Sequence, residues 1–245
     1  MSLVCLRGVT RTVTLPDGED LHILRGVNLD VAAGEHVSIV GRSGTGKSTM
    51  LNIIGLLDAP TSGTYELDGV DTTRLGEGRR ARMRGEDFGF VFQQAHLMPT
   101  LCLLDNIVLP GYLAGLRPRP EITARGRSLM ERMGIADLAD NGVTEVSGGQ
   151  LQRAGICRAL INDPGIVFAD EPTGALDTRS AAFVLAELRR LADEGAAVVL
   201  VTHDLGAAAM AETALVMRDG VIVGCRRGAT PDELLTVMNR AGEAA

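Results

Sequence analysis

The apolar positions of the chain fall into short runs whose spacing changes from strand-like to helix-like and back. Leu3 to Val9 and Leu21 to Val31 are apolar-rich and are separated by Pro16-Asp17-Gly18, which predicts two strands and a turn. Val37-Ser38-Ile39-Val40 predicts a short buried strand that runs straight into a glycine-rich turn. From Lys47 to about Leu57 the pattern is helical, and Pro60, Ser62 and Gly63 end it. Thr64 to Leu67 followed by Asp68-Gly69 predicts a strand and a hairpin turn. Ile166 to Ala169 and Ala196 to Val201 are continuous apolar runs with a helical pattern over Ala181 to Leu191 between them. Such alternation indicates a parallel sheet covered on both faces. Ala214 to Met217 and Val221 to Val223 flank Asp219-Gly220, a second hairpin signal, and residues 231–240 predict a last short helix.

Residues 94–162 carry few strand signals. They read as helical, with breaks expected at Pro99, Pro110, Pro118, Pro120 and Gly142. The expected organisation is one α/β domain, with 1–93 and 163–245 forming the core and 94–162 a helical lobe inserted between two of its strands. At 245 residues the chain can bury a sizeable core, and with 5 Phe, 2 Tyr and no Trp that core must be aliphatic.

Charge removes one class of function. The net charge is −7, and the one dense basic run, Arg79, Arg80, Arg82 and Arg84, is flanked by acids. A phosphodiester backbone needs a cluster of cations, so nucleic acid is not the expected partner. Cys5, Cys102, Cys157 and Cys225 are scattered, with the spacing of neither a zinc site nor a disulfide framework, as suits a reducing cytosol. There is no basic start followed by an apolar h-region and no run of 18 apolar residues, so any membrane role is expected to come through a partner.

Gly41-Arg42-Ser43-Gly44-Thr45-Gly46-Lys47-Ser48 fits G-x-x-x-x-G-K-[ST] and sits between a predicted strand and a predicted helix. Glycines let the backbone wrap a phosphate and turn N–H groups inward. The helix adds the positive end of its dipole. Lys47 is expected to reach the β- and γ-phosphates, Ser48 to offer its hydroxyl to Mg²⁺, and Thr49 to make a further phosphate contact. Asp170-Glu171 follows the apolar run at 166–169. A carboxylate at the end of a buried strand beside a phosphate loop suits the Mg²⁺ shell, which assigns Asp170 there and leaves Glu171 to orient or deprotonate the attacking water. His203 follows the next strand and can reach a γ-phosphate. His22, His36 and His96 lack such a setting.

Ser147-Gly148-Gly149-Gln150, followed by Gln152, Arg153 and Arg158, is a second anion-binding helix start: a Ser cap and two glycines opening a helix. One chain does not need two cradles for one ATP. Two chains packed head to tail do, each cradle facing the other chain's serine–glycine segment across a shared nucleotide.

Over nearly its whole length the chain resembles the ABC transporter ATPase family. Gly41 to Ser48 matches Walker A, Gln93 in Phe90-Val91-Phe92-Gln93 the Q-loop, and Val146 to Gln150 the signature. Ile166 to Glu171 matches Walker B, Ala175-Leu176-Asp177 the D-loop, and His203 the H-loop. The resemblance implies a RecA-like P-loop core with an antiparallel β subdomain and a helical subdomain. It implies ATP hydrolysis with Mg²⁺, Gln93 joining Glu171 and His203 in catalysis and joining Ser48 and Asp170 at the metal. It also implies an ATP-sandwich dimer of two copies bound to transmembrane permease subunits, peripheral on the cytoplasmic face of the membrane.

Residues 57–63, 105–110 and 173–177 look most like the branch of macrolide-efflux, lipoprotein-release and FtsE-type ATPases. Within that branch the alternative to a pump is an ATPase that regulates a membrane partner without moving a substrate. An ABC ATPase of DNA repair would need a long coiled coil or zinc module between Lys47 and Asp170, and neither is present. Two positions depart from the family pattern. The signature begins with Val146 in place of Leu, a conservative apolar swap. Val13 stands where an aromatic usually stacks on adenine, and no aromatic precedes Tyr65. ATP and GTP are therefore expected to be separated less sharply than in relatives.

Overall fold

A computed structural model describes residues 2–240. The chain divides into two compact units, residues 1–80 with 189–245, and residues 81–188.

In the first unit, β1 (Ser2–Thr14) and β2 (Asp20–Ala32) form a long antiparallel hairpin around the predicted 16–18 turn. β4 (Ser62–Leu67) adds to β1, and β5 (Val70–Asp71) adds to β4, giving the order β2-β1-β4-β5. Beside this antiparallel sheet, β3 (His36–Val40) pairs in parallel with β8 (Ala197–Thr202) on one side and β9 (Thr213–Arg218) on the other. β10 (Val221–Arg227) closes back on β9 through Asp219-Gly220. All five residues of β3 and all six of β8 are buried, which is why β8 reads as a nearly continuous apolar run and β3 as an apolar run interrupted by Ser38. α1 (Lys47–Ile54), α7 (Leu205–Ala209) and α8 (Pro231–Arg240) belong to the same unit. Leu234 of α8 packs with Ala208, Val40, Val216 and Ala214 in one apolar cluster. Tyr65 is fully buried, and its hydroxyl donates to Ile54 O at 2.6 Å, tying β4 to the end of α1.

α1 is shorter than expected. It stops at Ile54 because Gly55 caps it, and Leu56 then turns with a φ of 56°.

His36 opens β3 and is 1% exposed, and neither ring nitrogen has a hydrogen-bond partner among the described residues. Burial, helped by the neighbouring Arg189 guanidinium and opposed by Asp193, holds its pKa down to about 4. The unfolded chain therefore takes up a proton near pH 6.5 that the folded chain refuses until about pH 4. Stability contributed by the neutral ring is complete above pH 6.5 and is lost as pH falls toward 4. The loss amounts to about 3 kcal/mol at 1.36 kcal/mol per unit. Urea midpoints measured from pH 7.5 to 4 should fall less steeply in His36→Leu than in the parent chain, and parallel slopes would remove histidine from the account.

The second unit holds β6 (Phe88–Phe92) and β7 (Ile166–Asp170), paired in parallel, with Phe88, Phe90 and Phe168 in ring contact. Three helices fall within the segment expected to be helical: α3 (Leu103–Ala114), α4 (Arg119–Arg132) and α5 (Gly148–Leu160). Pro110 does not break α3 as expected. It lies inside the helix, whose buried face of Leu103, Leu104, Ile107 and Val108 outweighs the roughly 3 kcal/mol a mid-helix proline costs. Pro120 sits in the first turn of α4, where its missing N–H is not needed. Two further helices run across the division of the chain: α2 (Glu77–Asp87) and α6 (Thr178–Asp193).

Candidate active site

In the first unit the phosphate loop leaves the end of β3. Val40, its last residue, is paired with Thr202, the last residue of β8. Gly41 and His203 therefore depart side by side from the carboxyl ends of neighbouring parallel strands, where open α/β sheets bind their ligands. The loop fits tightly. A Cβ on Gly41 would stand 2.3 Å from Met217 O, so only glycine allows β9 to approach this closely. Gly220 N, in the β9–β10 turn, donates to Thr45 O at 3.1 Å, and the Thr45 hydroxyl donates to Arg42 O at 2.9 Å. Gly46 adopts a φ of 97° at the cap of α1 with no side-chain cap, which leaves the start of the helix to backbone N–H groups. Lys47 is 7% exposed, and its ammonium group donates to Gly41 O at 2.8 Å and Arg42 O at 3.0 Å, so the cation is folded over the loop. Arg42, Ser43, Gly44 and Ser48 are exposed, and Thr49 is half-buried.

The second unit repeats the device. Phe92 of β6 is paired with Asp170 of β7, so Gln93 and Glu171 leave adjacent strand ends at the same level. Glu171 has a φ of 46°, a left-handed conformation that costs a residue with a Cβ about 1–3 kcal/mol. The turn it begins is closed by Gly174 N donating to Glu171 O at 3.1 Å. The Gln93 amide lies over Gly174, where a Cβ would stand 2.8 Å from Nε2.

α5 starts at Ser147, whose Oγ accepts from Gln150 N at 3.4 Å while Gln150 Oε1 accepts from Ser147 N at 2.8 Å. This capping box fixes the first turn and leaves Gly148 and Gly149 at its tip. Gly149 packs on Ser180 of α6, and a Cβ there would come within 2.7 Å of the serine Oγ. Asp177 holds that serine. One of its carboxylate oxygens accepts from Arg179 N and Ser180 N at 3.0 Å, and the other accepts from the Ser180 hydroxyl at 2.7 Å. These hydrogen bonds keep the Asp177 carboxyl below the usual carboxylate range.

The first unit thus gathers Gly41 to Thr49 with His203. The second gathers Gln93, Asp170, Glu171, Ser147 to Gln150 and Asp177. Of the oxygens expected at Mg²⁺, the amide of Gln93 and the carboxylate of Asp170 lie together in the second unit, where Phe92 is paired with Asp170. One carboxylate with neutral oxygens suits a hard cation that keeps much of its water and arrives with a triphosphate. Among the described residues no three His, Cys, Asp or Glu gather as a dedicated metal cage would require.

A family model described as "ABC transporter" matches residues 24–174, more than half of the chain. The chain belongs to the ABC transporter family.

Its likeness to solved ABC cassettes covers the fold. The dimeric structure of the bacterial ABC transporter cassette MJ0796 superposes with a TM-score of 0.86 at 38% identity, covering 92% of this chain and 99% of that one. A dimeric post-hydrolysis state of MJ0796 bound to ADP and Pi gives 0.83 at 37%. The macrolide export ATP-binding/permease protein MacB 1/2 of Paracoccus denitrificans is 47% identical over 230 residues. The pyoverdine export ATP-binding/permease protein PvdT of Pseudomonas aeruginosa is 45% identical over 221 residues. The alignments take in 94% and 90% of this chain but 34% and 33% of those proteins, so the chain spans about a third of the length of these relatives. Among its described residues no helix is long and apolar enough to cross a membrane.

Two parts of this ABC site lie outside the sequence expectations. The β9–β10 turn that braces the phosphate loop is remote in sequence from Gly41, and only its Asp-Gly pair was legible. Gln152 does carry a signal: it lies on the buried stripe of α5 with Ile156 and Ala159, a polar residue at an apolar position.

Proposed function

We propose that the chain hydrolyses ATP as one of two identical cassettes that close on a pair of nucleotides and drive membrane permease subunits. The observation that carries this reading is the presence of two anion cradles on one chain, the loop Gly41–Ser48 and the Ser147-capped start of α5. A triphosphate held by Lys47 of one copy and by Ser147 and Gly149 of a second copy uses both. Ser48, Gln93 and Asp170 would hold Mg²⁺, which would supply positive charge against the charge that develops on the phosphate. Glu171 orients the water and accepts its proton, and His203 senses the γ-phosphate. Loss of that phosphate removes the bridge and the two copies part. Turnover per chain should therefore rise with protein concentration and follow ATP-driven dimer formation by light scattering. Full turnover by a strictly monomeric preparation would end this reading.

The segment after Gln93, about residues 94–112, carries the motion to the permease. Met98, at 47% exposed, offers apolar surface there that a partner would cover, and Leu113, at 78%, continues it just past the segment. The permease would be of the efflux or lipoprotein-release type, with the cassette peripheral on the cytoplasmic side, and the likeness to export ATP-binding/permease proteins supports the efflux side of that reading.

Base recognition is the weak point of the site. Val13 is 36% exposed on β1 opposite Leu21, 48% exposed on β2, so the base meets aliphatic side chains. Aromatic stacking is worth about 1–3 kcal/mol per base. Without it the triphosphate supplies most of the affinity, and GTP should bind within about tenfold of ATP in parallel titrations. A hundredfold preference for ATP would contradict this, and Val13→Tyr should widen the gap.

A further inference from the structure

Gln152 sits in the second turn of α5 and is 2% exposed. Its Nε2 donates to Phe92 O at 2.8 Å and to Pro172 O at 3.0 Å. Both partners are carbonyl oxygens, so only the amide NH₂ can face them, and its two hydrogens are both used. The two carbonyls adjoin the catalytic pair: Phe92 directly precedes Gln93, and Pro172 directly follows Glu171. Gln93 and Gln152 also line a common cavity of about 340 Å³ with Gly148 and Leu176.

We propose that Gln152 is a positioning residue that ties the backbone on either side of the catalytic centre to the signature helix that begins at Ser147, and so places Gln93 and Glu171. The proposal rests on the reading of Gln93 and Glu171 given above. The helix is short and stiff between the two points. Gln152 lies five residue steps along from Ser147, a rise of about 7.5 Å. Gly149 against Ser180 adds a second fixed point, which Asp177 caps. Glu171, held in a left-handed conformation, is the residue whose placement most needs such support.

Two near-isosteric variants test this. Gln152→Met keeps the shape and removes both donors. Gln152→Glu sets an oxygen against the two carbonyls. Misplacing a catalytic group by about 1 Å costs up to a hundredfold, so kcat should fall about tenfold in Gln152→Met and further in Gln152→Glu. The KM for ATP should stay within about threefold, and ATP-driven dimerisation should be unchanged, because no phosphate contact is removed. Wild-type kcat in either variant overturns the proposal. So does a loss that appears in KM or in dimerisation, or a failure of Gln152→Met to fold, since each makes the residue a structural support only. Glu171→Gln reports separately on the underlying reading: a fully active Glu171→Gln removes the catalytic pair, whereas an active Gln152→Met beside an inactive Glu171→Gln removes only the link.

Discussion

Glu171→Gln should lower kcat for ATP about a hundredfold or more while leaving nucleotide binding intact. The amide matches the carboxylate in size but cannot take a proton from water, and general-base catalysis contributes about 10²–10⁴. The backbone at this position is already committed to its turn, with a φ of 46° and Gly174 N bonded to Glu171 O, so the substitution changes chemistry and not placement. The second half of the prediction is a trapped species. With the γ-phosphate retained, the bridge between two copies persists, and the variant should remain dimeric in ATP and monomeric in ADP by light scattering. Hydrolysis within tenfold of the parent rate would assign the water to another group.

The second large effect is complementation between two dead variants. Lys47→Ala removes the one ammonium group folded over the phosphate loop, and Ser147→Arg blocks the tip of α5 and its capping box. Each alone should lose about a hundredfold or more, the cost of removing one electrostatic donor at a site of charge development. Mixed one to one, the pair should regain about a quarter of wild-type turnover. Half of randomly formed dimers are mixed, and each mixed dimer has one intact site of two if the copies are related by twofold symmetry. No recovery at any ratio, in preparations that form dimers with ATP, would rule out a nucleotide shared in this way.

How far the sequence carries depends on what each element asks of its residues. β3 and β8 are buried along their whole length, so their short apolar-rich runs identified them, even with Ser38 inside β3. The two Asp-Gly turns were legible because both residues need positive φ, and Asp68, Gly69, Asp219 and Gly220 all have it. α2 was not read as a helix. It has no buried residue, so it has no apolar stripe to find. The phosphate loop and the signature were legible as spacing, since glycines and a capping serine are demanded by the backbone itself. His203 was legible as the residue after a neighbouring strand, whereas Gln93 beside Glu171 came only from the family resemblance, because register between parallel strands joins positions far apart in the chain. The left-handed backbone of Glu171 is likewise invisible in a sequence where Pro172 and Gly174 offer several turns.

The back of the phosphate loop is built by the last sheet strands: Met217 presses on Gly41, and Gly220 holds Thr45. The family match ends at residue 174, before either of them and before His203. A fragment cut to that match would carry every residue of the glycine-rich consensus and still lack the surface against which it is moulded. Protein engineers who trim this cassette should keep β9 and β10, since β9 is both that surface and a buried partner of β3.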